Sequence, residues 1–152
     1  MFFKKSKNNT ICLEQSVRNI VELEDGVFSK KMVGDGFFFE SSDKILTIKA
    51  FEKCKVTMVA PTRHAIGLQM NDIEVMIHYG LDTVAEKGTG IECSLKKGQI
   101  VNKGDNLLVV DNNYYQENSY QTPVIYVFPN LKELKYNLKI IDEHKGIVEF
   151  IL

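Results

Sequence analysis

The sequence predicts an all-β sandwich or barrel, and three observations support this fold class. First, it has 14 Val, 14 Ile and 7 Thr against only 4 Ala, together with 15 aromatic residues, a composition that favours strands over helices. Second, short apolar runs alternate with turn residues along the whole chain. Third, no long segment has the period of an amphipathic helix.

The expected strands follow one another at the spacing of an antiparallel sheet, and no sequence repeat divides them. We expect strands at 37–39, 45–48, 55–59, 65–68, 75–77, 106–110, 124–128 and 146–152, with partial alternation over 17–23. Met70-Asn71-Asp72 is a hairpin-like break between two of these strands. The only helices we expect are one turn at 29–32 and a weak segment around 114–119.

Length and composition indicate one globular domain over residues 11–152, preceded by a flexible tail at 1–10. The chain has 152 residues, of which 44% are hydrophobic and 26% charged, values that exclude disorder as its main state. The tail carries several lysines, so a weak contact with a membrane surface is the alternative to simple disorder.

Charge and cysteine content exclude several classes of function. The net charge is −1, without the excess of basic residues that nucleic-acid binding needs. Three cysteines without a CxxC motif argue against a disulfide framework or a cysteine zinc site, and favour the reducing cytoplasm. Neither a signal peptide nor a membrane-spanning run is found.

Two of the three histidines lie where chemistry is expected. His78 ends an apolar strand just before Gly80, so a rigid body supports it on one side while solvent reaches the other. His64 begins the neighbouring strand, and pairing around 70–72 brings both side chains to the same end of the hairpin. The residues alone leave three interpretations open: two zinc ligands, a nucleophile with its partner, or unrelated surface residues. The third histidine, His144, lies in a polar turn and is expected to be solvated.

Four blocks of the sequence, in the right order, resemble the glucose-type enzyme IIA family of the bacterial phosphoenolpyruvate-dependent sugar phosphotransferase system. The most specific is His78-Tyr79-Gly80-Leu81-Asp82-Thr83-Val84, which is similar to the family's phosphorylation motif. The other three are Thr62-Arg63-His64-Ala65, the segment 27–36 and the segment 101–105. The resemblance implies a flattened antiparallel β-sandwich.

The resemblance also implies a role for each site residue in a cytoplasmic phosphocarrier of sugar uptake. His78 would accept a phosphoryl group from phospho-HPr on Nε2 and pass it to a cysteine of a IIB domain. His64 would hydrogen-bond the phosphoryl oxygens, and Thr62 would fix the His64 tautomer. Asp82 and Asp25 would meet a basic residue of HPr. The Nδ1–H of His78 is expected to donate to a carbonyl that orients the ring.

An apolar docking face around the two histidines is a further implication. Its expected members are Val27, Phe28, Met32, Val33 and Met76, for which burial in the core is the alternative. We expect a monomer that needs no cofactor, although zinc could bind to His64 and His78 together with a partner's carboxylate. Regulated transporters or kinases are further possible partners, and a regulatory module that no longer transfers phosphate is the alternative function.

Overall fold

Antiparallel strands dominate the structure, a computed structural model that describes residues 10–152. The all-β prediction is therefore confirmed. Within these residues the strands are β1 (Thr10–Cys12), β2 (Arg18–Asn19), β3 (Asp35–Phe39), β4 (Ile45–Lys49), β5 (Cys54–Val59), β6 (Ala65–Met70), β7 (Ile73–Tyr79), β8 (Ile91–Glu92), β9 (Ile100–Val101), β10 (Asn106–Asp111), β11 (Val124–Phe128), β12 (Asn137–Asp142) and β13 (Ile147–Ile151).

Three sheets arrange these strands, and the largest has seven. Its order is β2-β3-β11-β7-β6-β5-β9, with β7 near the middle. The two smaller sheets have the orders β1-β13-β12 and β4-β10-β8. The central position of β7 holds its residues between paired strands on both sides, β11 and β6.

The large sheet buries apolar side chains on both of its faces. Along β7 the odd-numbered positions from Ile73 to Tyr79 are buried in the main core, as a period of two requires. The even-numbered positions, Met76 and His78 among them, face the opposite side. There a second, smaller cluster is formed by Ile20, Leu23, Phe38, Ile125 and Val127.

Strands β6 and β7 pair around 70–72, as the sequence predicted, and the structure supplies the register, which the sequence left open. Pairing runs without a shift from Met70 opposite Ile73 to Ala65 opposite His78. The turn between the strands contains Asn71, whose φ is +54°, a value that Asn tolerates better than most residues. This uninterrupted pairing determines which residues lie at the open end of the hairpin, away from the turn.

The helical segments were only partly predicted. Helix α1 (Asn112–Glu117) confirms the segment expected around 114–119, whereas α2 (Leu131–Leu134) was not predicted. The one-turn helix expected at 29–32 is wrong: a hydrogen-bonded turn stands there, and it leaves the helical region at Lys31, whose φ is +57°. Two short 3-10 helices, Ile20–Glu22 and Thr83–Glu86, complete the helical structure of the described residues.

Several predicted strand bounds need correction, and some strands were missed. The alternation over 17–23 gives only the two residues of β2, because the Asn19 side chain accepts a hydrogen bond from the Val21 amide and starts the 3-10 helix. Strands β1, β8, β9 and β12 were not predicted. Residues 1–9 of the expected tail lie outside the described residues, while Thr10 is paired with Glu149 in β1.

Residues 10–152 contain no helix with the length and apolar character that crossing a bilayer requires.

A close approach between β3 and β11 provides a test of this packing. Gly36 is buried, and a Cβ at this position would overlap the carbonyl oxygen of Tyr126. We expect Gly36→Ala to lower the free energy of unfolding by about 3 kcal/mol, since the strands must move apart to admit one methyl group. Chemical denaturation followed by circular dichroism measures this change.

The control for that measurement is Gly26→Ala, because a Cβ at Gly26 meets no atom within 4 Å. It should change the free energy of unfolding by less than about 1 kcal/mol. Equal stability of the two variants would contradict the close packing of β3 on β11.

Candidate functional site

His64 and His78 lie side by side at the open end of the β6–β7 hairpin. His78 is on β7 opposite Ala65, and His64 immediately precedes β6. The backbone carbonyl of His64 accepts a hydrogen bond of 2.8 Å from the Tyr79 amide, which extends the ladder by one step. The two ring centroids are 5.0 Å apart and the ring planes are nearly perpendicular, at 85°. The structure thus brings together the pair that the sequence placed at one strand end.

A five-residue loop between β5 and β6, residues 60–64, carries both His64 and Thr62. Two backbone hydrogen bonds close the loop: the Ala60 amide donates to the Ala65 carbonyl, and the Arg63 amide donates to the Ala60 carbonyl. The Thr62 hydroxyl forms a hydrogen bond with Nδ1 of His64. If that hydroxyl donates, Nε2 of His64 bears the proton and is free to donate to a ligand.

Only one nitrogen of His78 is open to a partner. Its Nδ1 is buried, and no group in residues 10–152 forms a hydrogen bond with it. The predicted donation from Nδ1 to a carbonyl does not reach hydrogen-bonding geometry, although the backbone of Gly80 lies near enough to raise the pKa of the ring. The ring is instead held by packing, edge-on to His64 and 5.2 Å from the ring of Phe28.

Both rings are held in their neutral form. Desolvation by burial, assisted by the neighbouring His64, lowers the pKa of His78 to about 4, and the nearby carboxylate of Asp82 offsets only part of this effect. Desolvation also lowers the pKa of His64. A neutral imidazole has a free lone pair and is a nucleophile at physiological pH.

Asp25 builds the turn that places Phe28 against His78. Its carboxylate accepts hydrogen bonds from the amides of Phe28 and Ser29 at 2.9 and 2.8 Å, and its backbone carbonyl accepts one from the Ser29 hydroxyl. Burial alone would raise the pKa of Asp25, but these hydrogen bonds hold it below the usual value. Asp25 therefore has a structural function at the site, besides the contact with HPr that was predicted for it.

None of the residues predicted to form the docking face belongs to the main core, and one of them, Phe28, packs against His78. Met32 is the most exposed, at 71%, followed by Val27 at 46% and Val33 at 36%. Phe28 and Met76 are half-buried against the second cluster. Burial in the core, the alternative for these residues, is thus excluded for Met32, Val27 and Val33. Phe28 and Met76 lie between the second cluster and the protein surface.

An open cavity of about 720 Å³ lies beside His78. The turn at 24–28 borders it on one side, and Leu81, Asp82, Thr83 and Val84 border it on another. Asp82 is exposed, has a left-handed φ of +61° and does not cap the 3-10 helix that follows, so its carboxylate is available to a partner. Thr83 is buried and anchors this segment by donating to the Tyr79 carbonyl at 2.5 Å.

Comparison with known proteins identifies the family. A family model described as phosphoenolpyruvate-dependent sugar phosphotransferase system, EIIA 1, matches residues 11–134. The chain belongs to this EIIA family. The solved structure of a glucose permease IIA from Mycoplasma capricolum is 30% identical to it, with a TM-score of 0.77, and the match covers 99% of this chain and 98% of that one. The predicted family and the β-sandwich fold are both confirmed.

Membership of the EIIA family assigns the chain a general function. The family and the fold support a phosphocarrier role in the phosphotransferase system, and hence a phosphotransferase component. They also imply interaction with HPr and with IIB domains.

One group of residues near this EIIA site was missed in the sequence. Glu86 ends the 3-10 helix behind Asp82, and its two carboxylate oxygens accept hydrogen bonds of 2.5 Å from the hydroxyls of Tyr114 and Tyr120. These hydrogen bonds lower the pKa of Glu86, and in return they raise the pKa of both phenols. The partners are 28 and 34 residues away in the chain, so no local pattern indicates them.

Zinc binding would need ligands from a second protein. The described part of the chain contains no group of three or more His, Cys, Asp or Glu side chains that could hold a metal ion. His64 and His78 would supply two ligands, fewer than the three or four that zinc sites use. Zinc at a partner interface therefore stays a prediction.

The low pKa of His78 makes stability depend on pH in a defined window. In the folded chain His78 takes up a proton only near pH 4, whereas an unperturbed histidine does so near 6.5. Between these values the unfolded state binds more protons, so the free energy of unfolding should fall as the pH falls through this window. Denaturation of the wild type and of His78→Gln at a series of pH values measures the effect.

The variant provides the control, because it keeps every other titrating group. We expect the wild type to lose more stability than His78→Gln between pH 6.5 and about 4. Parallel stability curves for the two proteins would show that His78 is not desolvated.

Proposed function

We propose that this EIIA chain accepts a phosphoryl group from phospho-HPr on Nε2 of His78 and passes it to a cysteine of a IIB domain. The observation that carries the proposal is the pairing of a neutral histidine, with one accessible nitrogen, to a second histidine whose ring centroid is 5.0 Å away. Family membership supports the choice of partners, because it implies interaction with HPr and with IIB domains.

The burial of Nδ1 supports the choice of nitrogen. A partner's phosphoryl group has to approach along the lone pair of an exposed nitrogen, and Nδ1 of His78 is covered by protein. Nε2 is therefore the atom that attacks. In-line approach to a fixed nitrogen is the main contribution that a protein makes to phosphoryl transfer.

The transfer of the phosphoryl group needs no proton donor or acceptor other than the imidazoles of His78 and of the HPr histidine. The lone pair on Nε2 of neutral His78 forms the new N–P bond while the N–P bond to the donor histidine of HPr breaks. The proton on Nδ1 of His78 remains there, and the donor leaves as an imidazole with the electron pair of its broken bond. In the second step a cysteine thiolate of the IIB domain attacks phosphorus and forms the S–P bond while the Nε2–P bond breaks. The electron pair of the broken bond stays on Nε2, and His78 returns to its neutral form.

His64 and Thr62 have the supporting roles. With the Thr62 hydroxyl donating to Nδ1, the Nε2–H of His64 is directed toward a phosphoryl oxygen on the neighbouring ring. A placed donor of this kind stabilises the charge on the equatorial oxygens in the transition state. His64 stays neutral through desolvation, so it adds no positive charge that would trap the phosphoryl group.

The surface around the pair supports docking of HPr and of a IIB domain at the same place. Exposed Val27, Met32 and Val33 offer an apolar surface that excludes water on contact. Asp82 faces the cavity beside His78 with a free carboxylate, which suits a basic side chain of the partner.

Phosphorylation by purified general components tests the proposal. Incubation with enzyme I, HPr and phosphoenolpyruvate should add one acid-labile phosphoryl group, detected by intact mass. His78→Gln should gain no mass, since the accepting nitrogen is gone. His64→Gln should gain it about a hundredfold more slowly, because one donor to the transition state is lost.

His144→Gln is the matched control, since His144 is exposed in the turn between β12 and β13. It should be phosphorylated like the wild type. Retained phosphorylation of His78→Gln would contradict the assignment. A wild-type chain that binds partners but gains no phosphoryl group would identify the regulatory module instead.

A further inference from the structure

Arg63, between Thr62 and His64, connects the two segments that form the site. Its Nε donates to the carbonyl of Ile91 at 2.9 Å, and its Nη2 donates to the carbonyl of Gly88 at 3.1 Å. Both acceptors lie just beyond the 3-10 helix Thr83–Glu86, on the segment that continues from His78 and Asp82. One guanidinium thus joins the His64 loop to the segment that follows His78.

The two segments touch so closely that only glycine fits between them. Gly88 is buried with a φ of +89°, and a Cβ there would lie 2.7 Å from Nη2 of Arg63 and 2.9 Å from the carbonyl oxygen of Thr62. The guanidinium and the backbone of the His64 loop therefore rest directly on Gly88. A movement of either segment would displace the other.

The segment that accepts these hydrogen bonds is itself fixed to the sheet. The hydroxyl of buried Tyr115 donates to the Thr89 carbonyl at 2.5 Å, and Ile91 is paired with Val110 in β8 and β10. Arg63 is consequently attached to a rigid part of the molecule, which is what a positioning residue requires.

Arg63 is held in a backbone conformation that its side chain does not favour. Its φ is +61°, in the left-handed region that Gly and Asn adopt more easily. Of the 19 basic residues of this chain, only Arg18 and Arg63 are arginine. The ammonium of lysine is a compact point charge, whereas the planar guanidinium presents several donors in fixed directions and reaches two carbonyls at once.

We propose that Arg63 is a positioning residue for phosphoryl transfer. By fixing the loop 60–64 against Gly88 and Ile91, it keeps the Thr62 hydroxyl on Nδ1 of His64 and thereby directs the Nε2–H of His64 toward His78. Arg63 acts through the placement of His64 and makes no contact with the phosphoryl group. This inference rests on the proposed function, in which His64 is the donor to the phosphoryl oxygens.

Two substitutions separate the hydrogen bonds of Arg63 from its backbone strain. Arg63→Asn removes the guanidinium but suits a left-handed φ, so the loop should fold with little loss of thermal stability. Arg63→Lys keeps the positive charge and the long stem but cannot reach both carbonyls as a planar fork. We expect both variants to lower the kcat for transfer from phospho-HPr at least about tenfold, with KM within about twofold of the wild type.

The control is Arg18→Lys. Arg18 bridges Glu22 and Glu40 over the ring of Phe38 and has no contact with the His64 loop. It should leave kcat unchanged. Equal kcat in the wild type and in both Arg63 variants would overturn the proposal. The same holds if the melting temperature of the variants falls while their kcat stays unchanged, because Arg63 would then be purely structural.

A second readout does not depend on phosphorylation. Nitrogen-15 NMR of histidine-labelled protein should show His64 as a single Nε2–H tautomer in the wild type and as a mixture in Arg63→Asn and Arg63→Lys. An unchanged tautomer in the variants would overturn the positioning role. A tautomer change in a chain whose wild type accepts no phosphoryl group would support positioning while overturning the proposed function.

Discussion

Antiparallel pairing of β6 with β7 is the constraint from which the site follows. Six residue pairs run without a bulge from the turn to the pair of Ala65 and His78, and the His64 carbonyl extends the ladder by one more hydrogen bond. A slip by one residue would turn His78 into the main core and bring Ile77 to the surface. The apolar odd-numbered positions of β7 prevent such a slip, so the core that stabilises the strand also sets the orientation of the reacting histidine.

Apolar side chains are buried on both faces of the large sheet, and the site lies at the edge of the second, smaller cluster. Ile125 and Phe38 occupy the same row across the sheet as His78, and Phe28 packs against both the cluster and the imidazole. This packing orients the ring, covers Nδ1 and removes the water that would stabilise a charged imidazolium. Partial burial at a strand end is therefore the common physical cause of three properties of His78: a single accessible nitrogen, a neutral charge state and a fixed orientation.

The sequence predicted what depends on local patterns. The runs at 65–68 and 75–77 are apolar and separated by turn residues, so the hairpin and the meeting of His64 with His78 could be inferred from the sequence alone. Pairing at a distance was not visible: β12 was missed because Leu138 and Ile140 stand among polar residues, and β8 and β9 are two-residue strands that form only against their partners. The contact of Glu86 with Tyr114 and Tyr120 depends on side chains that only the folded chain brings together.

The position of the phosphoryl group tests the central claim most directly. Nitrogen-15 and phosphorus-31 NMR of histidine-labelled, phosphorylated protein reports which ring nitrogen is bonded to phosphorus. The geometry predicts a single one-bond coupling to Nε2 of His78 and a shift of the His64 resonances, because the two ring centroids are 5.0 Å apart. Coupling to Nδ1 of His78 or to either nitrogen of His64 would contradict this account of the site.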